Sequence, residues 1–326
     1  MVRKNLAIIS MLCLLFAGCT PKLELEKQTF FSLGTVCSVS LPTGTKQVVF
    51  DEVKASIEKV NSKFSRTSEQ SELYKLNQEH RLDTDEEFFH LIEQSLRMAD
   101  LTNGAFNPAI GGLTGLWNIG TDQARVPTKN EIAKVSTDYR QVRLDPSTGN
   151  VSFPQDIQLD LGGIAKGYGA DCARAVLEKN KIERGLINLG GNVYAIGCKK
   201  NGSAWRIGLR DPNGEPGESF IIIEVRDKSL VTSGAYERFF VQDGVTYHHI
   251  LDSNTGYPAQ SDLLSVSIIG SESTICDALS TAVFVLGSTK GLALINRTEG
   301  YDCVLMKKDG SLLFSDQFPY QYSLEK

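Results

Sequence analysis

Apolar positions along the chain fall into distinct periods from residue 29 onward. Positions 29–41 have the β-branched and aromatic content of a strand, broken at Gly34. In 51–64 the residues Val53, Ile57, Val60 and Phe64 recur at helical spacing. A second helix is predicted over 86–102, with Phe88, Phe89, Leu91, Ile92, Leu96 and Met98 as its stripe and Asn103-Gly104 as its stop. A glycine-rich segment, 104–120, follows. Between 139 and 161 the pattern alternates, with Val142 and Leu144 before the turn at 145–149 and Val151, Phe153, Ile157, Leu159 and Leu161 after it, which predicts a hairpin. Its second strand runs into DLGGIAKGYGAD, 160–171, and 170–180 continues as a helix through Ala173, Val176 and Leu177. The remainder is richer in strands, at 185–196, 205–210, 219–225, 229–233, 238–241 and 245–251, the last two joined by Asp243-Gly244. A late helix over 274–286 has Ser273 before it and Gly287 after it. No Pro/Ser linker divides the chain, so the expected architecture is α+β, one compact domain over 29–326 with mixed, largely antiparallel sheets and packed helices.

Composition supports a globular core: 326 residues, 41 % of them hydrophobic. The net charge of -5 is dispersed, without the Lys/Arg block that tracks a nucleic-acid backbone, so nucleic acid is not an expected partner. The N-terminus departs from this pattern. Arg3 and Lys4 precede the apolar run 6–16 and then LFAGC, which reads as a secretory signal, and the run is too short to span a bilayer comfortably. Ala17 and Gly18 before Cys19 resemble a bacterial lipobox. Residues 1–18 are therefore expected to be cleaved, Cys19 to carry lipid, and 19–28 to tether an extracytoplasmic domain facing the periplasm. Five cysteines remain, with no C-x-x-C and no zinc spacing, so buried thiols with at most one disulfide are expected.

Three clusters carry candidate chemistry. DLGGIAKGYGAD matches neither G-x-x-x-x-G-K-[ST] nor G-x-G-x-x-G, yet its glycines, its following helix and Lys166 suit an anion as well as they suit a tight turn. Asp277 and Thr281 are four apart on one helix face, a sparse set of oxygens that suits Mg²⁺ completed by water and phosphates, although such a pair taken alone is usually a solvated face. In Tyr247-His248-His249 adjacent strand residues point to opposite faces, so one histidine at most faces a site, as a general base or as a satisfied sheet residue.

Together these pieces resemble the ApbE-type FAD:protein FMN transferases, the flavin-trafficking lipoproteins. The resemblance runs through SLGTVCSV, SELYKLN, NGAFNPAIGGL, DLGGIAKGYGAD, INLGGN, TSGAYERFF, HHILDSNTGYP and CDALSTAVFVLG, in order along nearly the whole mature chain. It implies a T-fold-like core and a Mg²⁺-dependent transfer of FMN from FAD to a Thr or Ser hydroxyl of an acceptor protein, with release of AMP. Implied acceptors carry a motif like D-x-x-S/T-G-A-T, such as subunits of membrane redox complexes, and this chain contains no such motif.

By motif position the resemblance implies Asp277, Thr281 and the Gly163 carbonyl as metal ligands, Lys166 over the phosphates and His249 as the base. It implies nucleotide contacts at Leu33, Phe64, Asn77, Ala105, Phe106, Asn107, Asp160, Ser233 and Ile250, with Arg238 at the pocket border or in a structural ion pair. Leu33, Asn107 and Ser253 stand where the family has Met, Asp and Pro, and Gly163 where it often has Ala. Asn107 lacks the charge of an Asp. Alternative expectations are an FAD pyrophosphatase producing FMN and AMP, and a flavin-binding lipoprotein without catalysis.

Overall fold

The computed structural model describes residues 24–212, 214–215 and 217–325. The expected signal peptide and Cys19 lie outside the described residues.

One eight-stranded sheet organises the chain. Its spatial order is Leu25–Ser32, Thr35–Pro42, Gly185–Leu189, Asn192–Ile196, Lys228–Gly234, Leu263–Gly270, Asp302–Lys307 and Leu312–Phe314, every neighbouring pair antiparallel. The helices Gln47–Phe64, Ala165–Lys179 and Ser273–Asn296 pack on one face. On the other face a three-stranded sheet, Trp205–Arg210, Ser219–Val225 and Tyr322–Leu324, contributes Ile207, Leu209, Ile221 and Ile223 to a second core layer. The result is α+β with antiparallel sheets, as the patterning predicts.

Several boundaries differ from the expectations, each for a physical reason. The first strand begins at Leu25, earlier than 29, because its pairing runs on to Leu25↔Pro42. The stretch 185–196 is two strands, since Gly190 and Gly191 at φ +63° and +99° turn the chain back. The second strand of the 139–161 hairpin ends at Ser152, and 153–164 is irregular. The helix expected from 170 starts at Ala165, so Gly167 and Gly169 are helical. Strands Leu263–Gly270 and Asp302–Lys307 escape the period-2 reading because they are buried on both sides: Ile268 and Leu305 face the helices while Ile269 and Met306 face the small sheet.

The late helix spans Ser273–Asn296 with a break at Gly287, φ 76° and ψ 175°, where the sequence places its end. It is long and apolar enough to cross a membrane by composition, yet Leu279, Val283 and Phe284 are fully buried in the core. Its N-terminus is capped from outside: the Asp171 carboxylate accepts the N–H groups of Ser273 (3.0 Å) and Thr274 (2.8 Å) and the Thr274 hydroxyl (2.6 Å). Ser273, expected before the helix, is its first residue, with Glu272 at the cap position, and its hydroxyl accepts from Ser229 at 2.8 Å. The five cysteines among the described residues are all free thiols.

Candidate active site

Two glycines of 160–171 serve close packing, Gly167 against a helix and Gly169 against the Leu33 turn. A Cβ on Gly167 would stand 2.2 Å from the Ser273 carbonyl oxygen and 2.8 Å from the Asp277 Cβ, and one on Gly169 would stand 3.1 Å from Leu33 Cδ1. Only glycine lets the helix Ala165–Lys179 lie this near Ser273–Asn296. That approach brings Asp277, 1 % exposed, against the start of the other helix, where its Oδ2 accepts the Gly167 N–H at 2.9 Å. In an uninterrupted helix this N–H would go to the Gly163 carbonyl. Among the described residues the Gly163 carbonyl receives no backbone donor, while the neighbouring Tyr168 N–H does reach Ile164. Thr281 Oγ1 sits against the same glycine, 3.3 Å from where a Cβ would be. The second Asp277 oxygen has Lys166 Nζ at 3.4 Å, an ammonium standing beside it as a cation would.

One carboxylate oxygen, one hydroxyl and one carbonyl left over from a helix turn make a donor set that fits a hard divalent cation with few protein ligands. Among the described residues no group of three or more His, Cys, Asp or Glu side chains converges on a metal position. A cation held here would complete its shell with water or with oxygens of a substrate.

The segment leading to this corner is fixed by side chains distant in sequence. Asn77 closes on Leu159 with both amide groups, accepting its N–H at 2.7 Å and donating to its C=O at 2.8 Å. The Asp160 N–H donates to Pro108 and the Gly111 N–H to Gln158, so the 104–111 loop is laced to 158–160. Asp160 accepts from Gly162 N–H at 2.8 Å and lies 3.3 Å from Arg66 Nε. Asn107 spends its carbonyl on Ala109 N–H and its NH₂ on the Thr137 carbonyl, a donation an aspartate could not make.

These elements wall a cavity of about 490 Å³. Leu33, Phe64, Phe106, Trp117 and Ile250 supply apolar and aromatic wall, while Asp160, Lys166, Glu237, Arg238 and His249 supply charge and polarity. Ala105, Asn107, Gly163, Ser233 and Thr281 also border it. Phe64 is held by stacking on Phe88 (5.2 Å) and by the edge of Tyr168 (5.8 Å). Ser233 donates to Ser280, whose own proton goes to the Asp277 carbonyl, both at 2.8 Å. Asn77 and Asp277 lie outside the lining, the Asn77 amide spent on Leu159 and Asp277 standing behind the wall against Lys166.

The two histidines divide as strand geometry requires. His248 turns to the core, with Nε2 3.2 Å from the Ala259 carbonyl and its ring edge-on to Phe284. His249 turns to the cavity with Nδ1 3.2 Å from the Arg238 carbonyl. A carbonyl only accepts, so Nδ1 carries the proton and Nε2 keeps its lone pair. Removal from water, followed by Arg238 and Lys166, pushes the His249 pKa down to about 3. Burial likewise pushes the Glu237 carboxyl up, against the opposing pull of Lys166 and Arg238. Glu237 and Arg66 are site residues absent from the expected set. Glu237 lies within TSGAYERFF, and Arg66 follows the end of the Gln47–Phe64 helix, but neither spacing points into a cavity.

The model of the ApbE family matches residues 33–305. This chain belongs to the ApbE family. Among its relatives is the FAD:protein FMN transferase of Treponema pallidum, 38 % identical over 301 residues that cover 85 % of this chain and 83 % of the relative. One from Klebsiella pneumoniae with the same name is 38 % identical over 72 % of this chain and 73 % of the relative. Among solved structures, the ApbE protein of Thermotoga maritima superposes with a TM-score of 0.84 at 35 % identity, over 90 % of this chain and 98 % of that one. The flavin transferase ApbE of Vibrio cholerae does so at 0.77 and 26 % identity, over 90 % and 98 %.

Proposed function

We propose that this ApbE-family protein transfers FMN from FAD to a Thr or Ser hydroxyl of an acceptor protein and releases AMP. The observation that carries the reading is the corner where Asp277, Thr281 and the freed Gly163 carbonyl meet Lys166 at the edge of an aromatic-walled cavity. Leu33, Phe64, Phe106 and Ile250 would enclose the flavin ring, and Lys166 would take the pyrophosphate. Mg²⁺ held by Asp277, Thr281 and Gly163 would neutralise phosphate charge as the bond to AMP breaks.

His249 Nε2 accepts the acceptor's hydroxyl proton. The hydroxyl oxygen bonds to the phosphorus of the FMN half, and the bridging P–O bond breaks with its electron pair leaving on AMP. Removal from water, with Arg238 and Lys166 adding to it, holds the free imidazole at low basicity. A pyrophosphate binding beside these two cations would offset the smaller, charge part of that depression. Asp160, tied to Arg66, would hold the nucleotide.

The chain is further proposed to be lipid-anchored at Cys19 and to face the periplasm, on the strength of the LFAGC stretch after a short apolar run. Incubation with FAD, Mg²⁺ and an acceptor domain, followed by chromatography of nucleotides and acceptor, tests the activity. AMP appearing together with flavin on the acceptor supports transfer. AMP with free FMN and an unmodified acceptor would make the protein an FAD pyrophosphatase, and FAD left intact would make it a flavin binder.

A further inference from the structure

A transferase acting on a protein must hold a polypeptide as well as a nucleotide. Two hairpins that touch the cavity expose apolar side chains beside it. In the first, Phe31 and Val36 face each other across the strands, 72 % and 61 % exposed, next to the turn Leu33-Gly34 that lines the cavity. In the second, Phe239–Gln242 pairs with Val245–His248, and Phe239, Val241 and Val245 are exposed. This second hairpin runs from Arg238 to His249, both cavity residues. Phe240 and Tyr247 stack at 5.3 Å and pack on Trp117, which seats the hairpin against the cavity wall.

The hairpin is a two-stranded sheet, and among the described residues no third strand pairs with either edge. The His249 N–H donates to the Arg238 carbonyl, which sets the alternation: Arg238/His249, Phe240/Tyr247 and Gln242/Val245 bond inward, and Phe239 and Val241 direct N–H and C=O outward. Among the described residues those outward groups have no partner. Sequence 239–248 carries no lysine or proline, the residues that ordinarily protect such an edge.

We infer that the acceptor protein docks by adding an extended segment as a third strand along the outer edge of Phe239–Gln242, which delivers its hydroxyl residue past Arg238 toward His249. The inference rests on the transferase reading. An unpaired backbone edge is matched by a polypeptide and not by lipid, and Phe239 and Val241 offer apolar contact to alternate side chains of the added strand.

Val241→Pro removes one outward N–H without touching the ladder inside the hairpin, a position where an edge strand tolerates proline. Val241→Lys protects the same edge by charge. With saturating FAD and Mg²⁺, each variant is expected to lose at least about tenfold in kcat/KM for the acceptor, chiefly through KM, while FAD affinity measured by flavin fluorescence stays at the wild-type value. Unchanged transfer in both variants overturns the docking surface. So does unchanged transfer accompanied by loss of vesicle binding or of self-association, which would assign the edge to a membrane or to a second copy. Wild-type protein that binds FAD but leaves it intact overturns the transferase reading, and the docking proposal with it.

Discussion

Gly167→Ala tests whether the glycine-rich stretch is a packing device. A methyl group there would stand 2.2 Å from the Ser273 carbonyl oxygen, 2.6 Å from its carbon and 2.8 Å from the Asp277 Cβ. The two helices must separate by about 1 Å to restore ordinary contact, and overpacking of this kind costs about 1–3 kcal/mol. Ser273 is backbone already held by Asp171 at its N–H, so it yields poorly and the upper part of that range applies. Alanine's better helix propensity returns about 1 kcal/mol. The net loss of about 1–2 kcal/mol corresponds to a fall in Tm of about 1.5–3 °C for a chain of this size. Thermal and urea unfolding of the two proteins measure it. A variant as stable as wild type, or more stable as an unhindered Gly→Ala helix substitution would be, refutes the packing argument. The same separation draws the Gly167 N–H from Asp277, so Mg²⁺ affinity should fall as well.

Three other outcomes follow from the same geometry. His249 sits near pKa 3 in the folded chain against an ordinary 6.5, so between these values the unfolded chain binds the extra proton and stability falls as pH drops; Tm of His249→Gln should decline less than wild type from pH 6.5 to 4. Asp277→Asn keeps an acceptor for Gly167 but loses the charge, and AMP release should then need much higher Mg²⁺ while the fold persists; an unchanged Mg²⁺ dependence would remove Asp277 from the metal site. Asp171→Ala uncaps the Ser273–Asn296 helix and should cost about 1–2 kcal/mol in urea unfolding.

Features with one buried face were legible in the chain. Helix Glu86–Leu101 shows a clean stripe, begins at Asp85 whose side chain accepts the Phe88 N–H, and ends one residue from its expected limit. Strands Leu263–Gly270 and Asp302–Lys307 were not legible, because burial on both faces erases the alternation that marks a strand. At the site, the four-residue spacing of Asp277 and Thr281 and the opposed faces of His248 and His249 were readable from periodicity. The amide of Asn77 closing on Leu159 was not, since nothing local distinguishes it from any helical asparagine. Nor was the purpose of Gly167, which depends on a helix more than a hundred residues away in the chain.

The most direct test of the account is the intact mass of an acceptor domain after incubation with FAD and Mg²⁺, using wild-type protein and Asp277→Ala. The account predicts a gain of one FMN as a phosphoester with wild type, and no gain with Asp277→Ala or when the metal is chelated. A gain corresponding to whole FAD, or the same FMN gain without Asp277 and without metal, would contradict it.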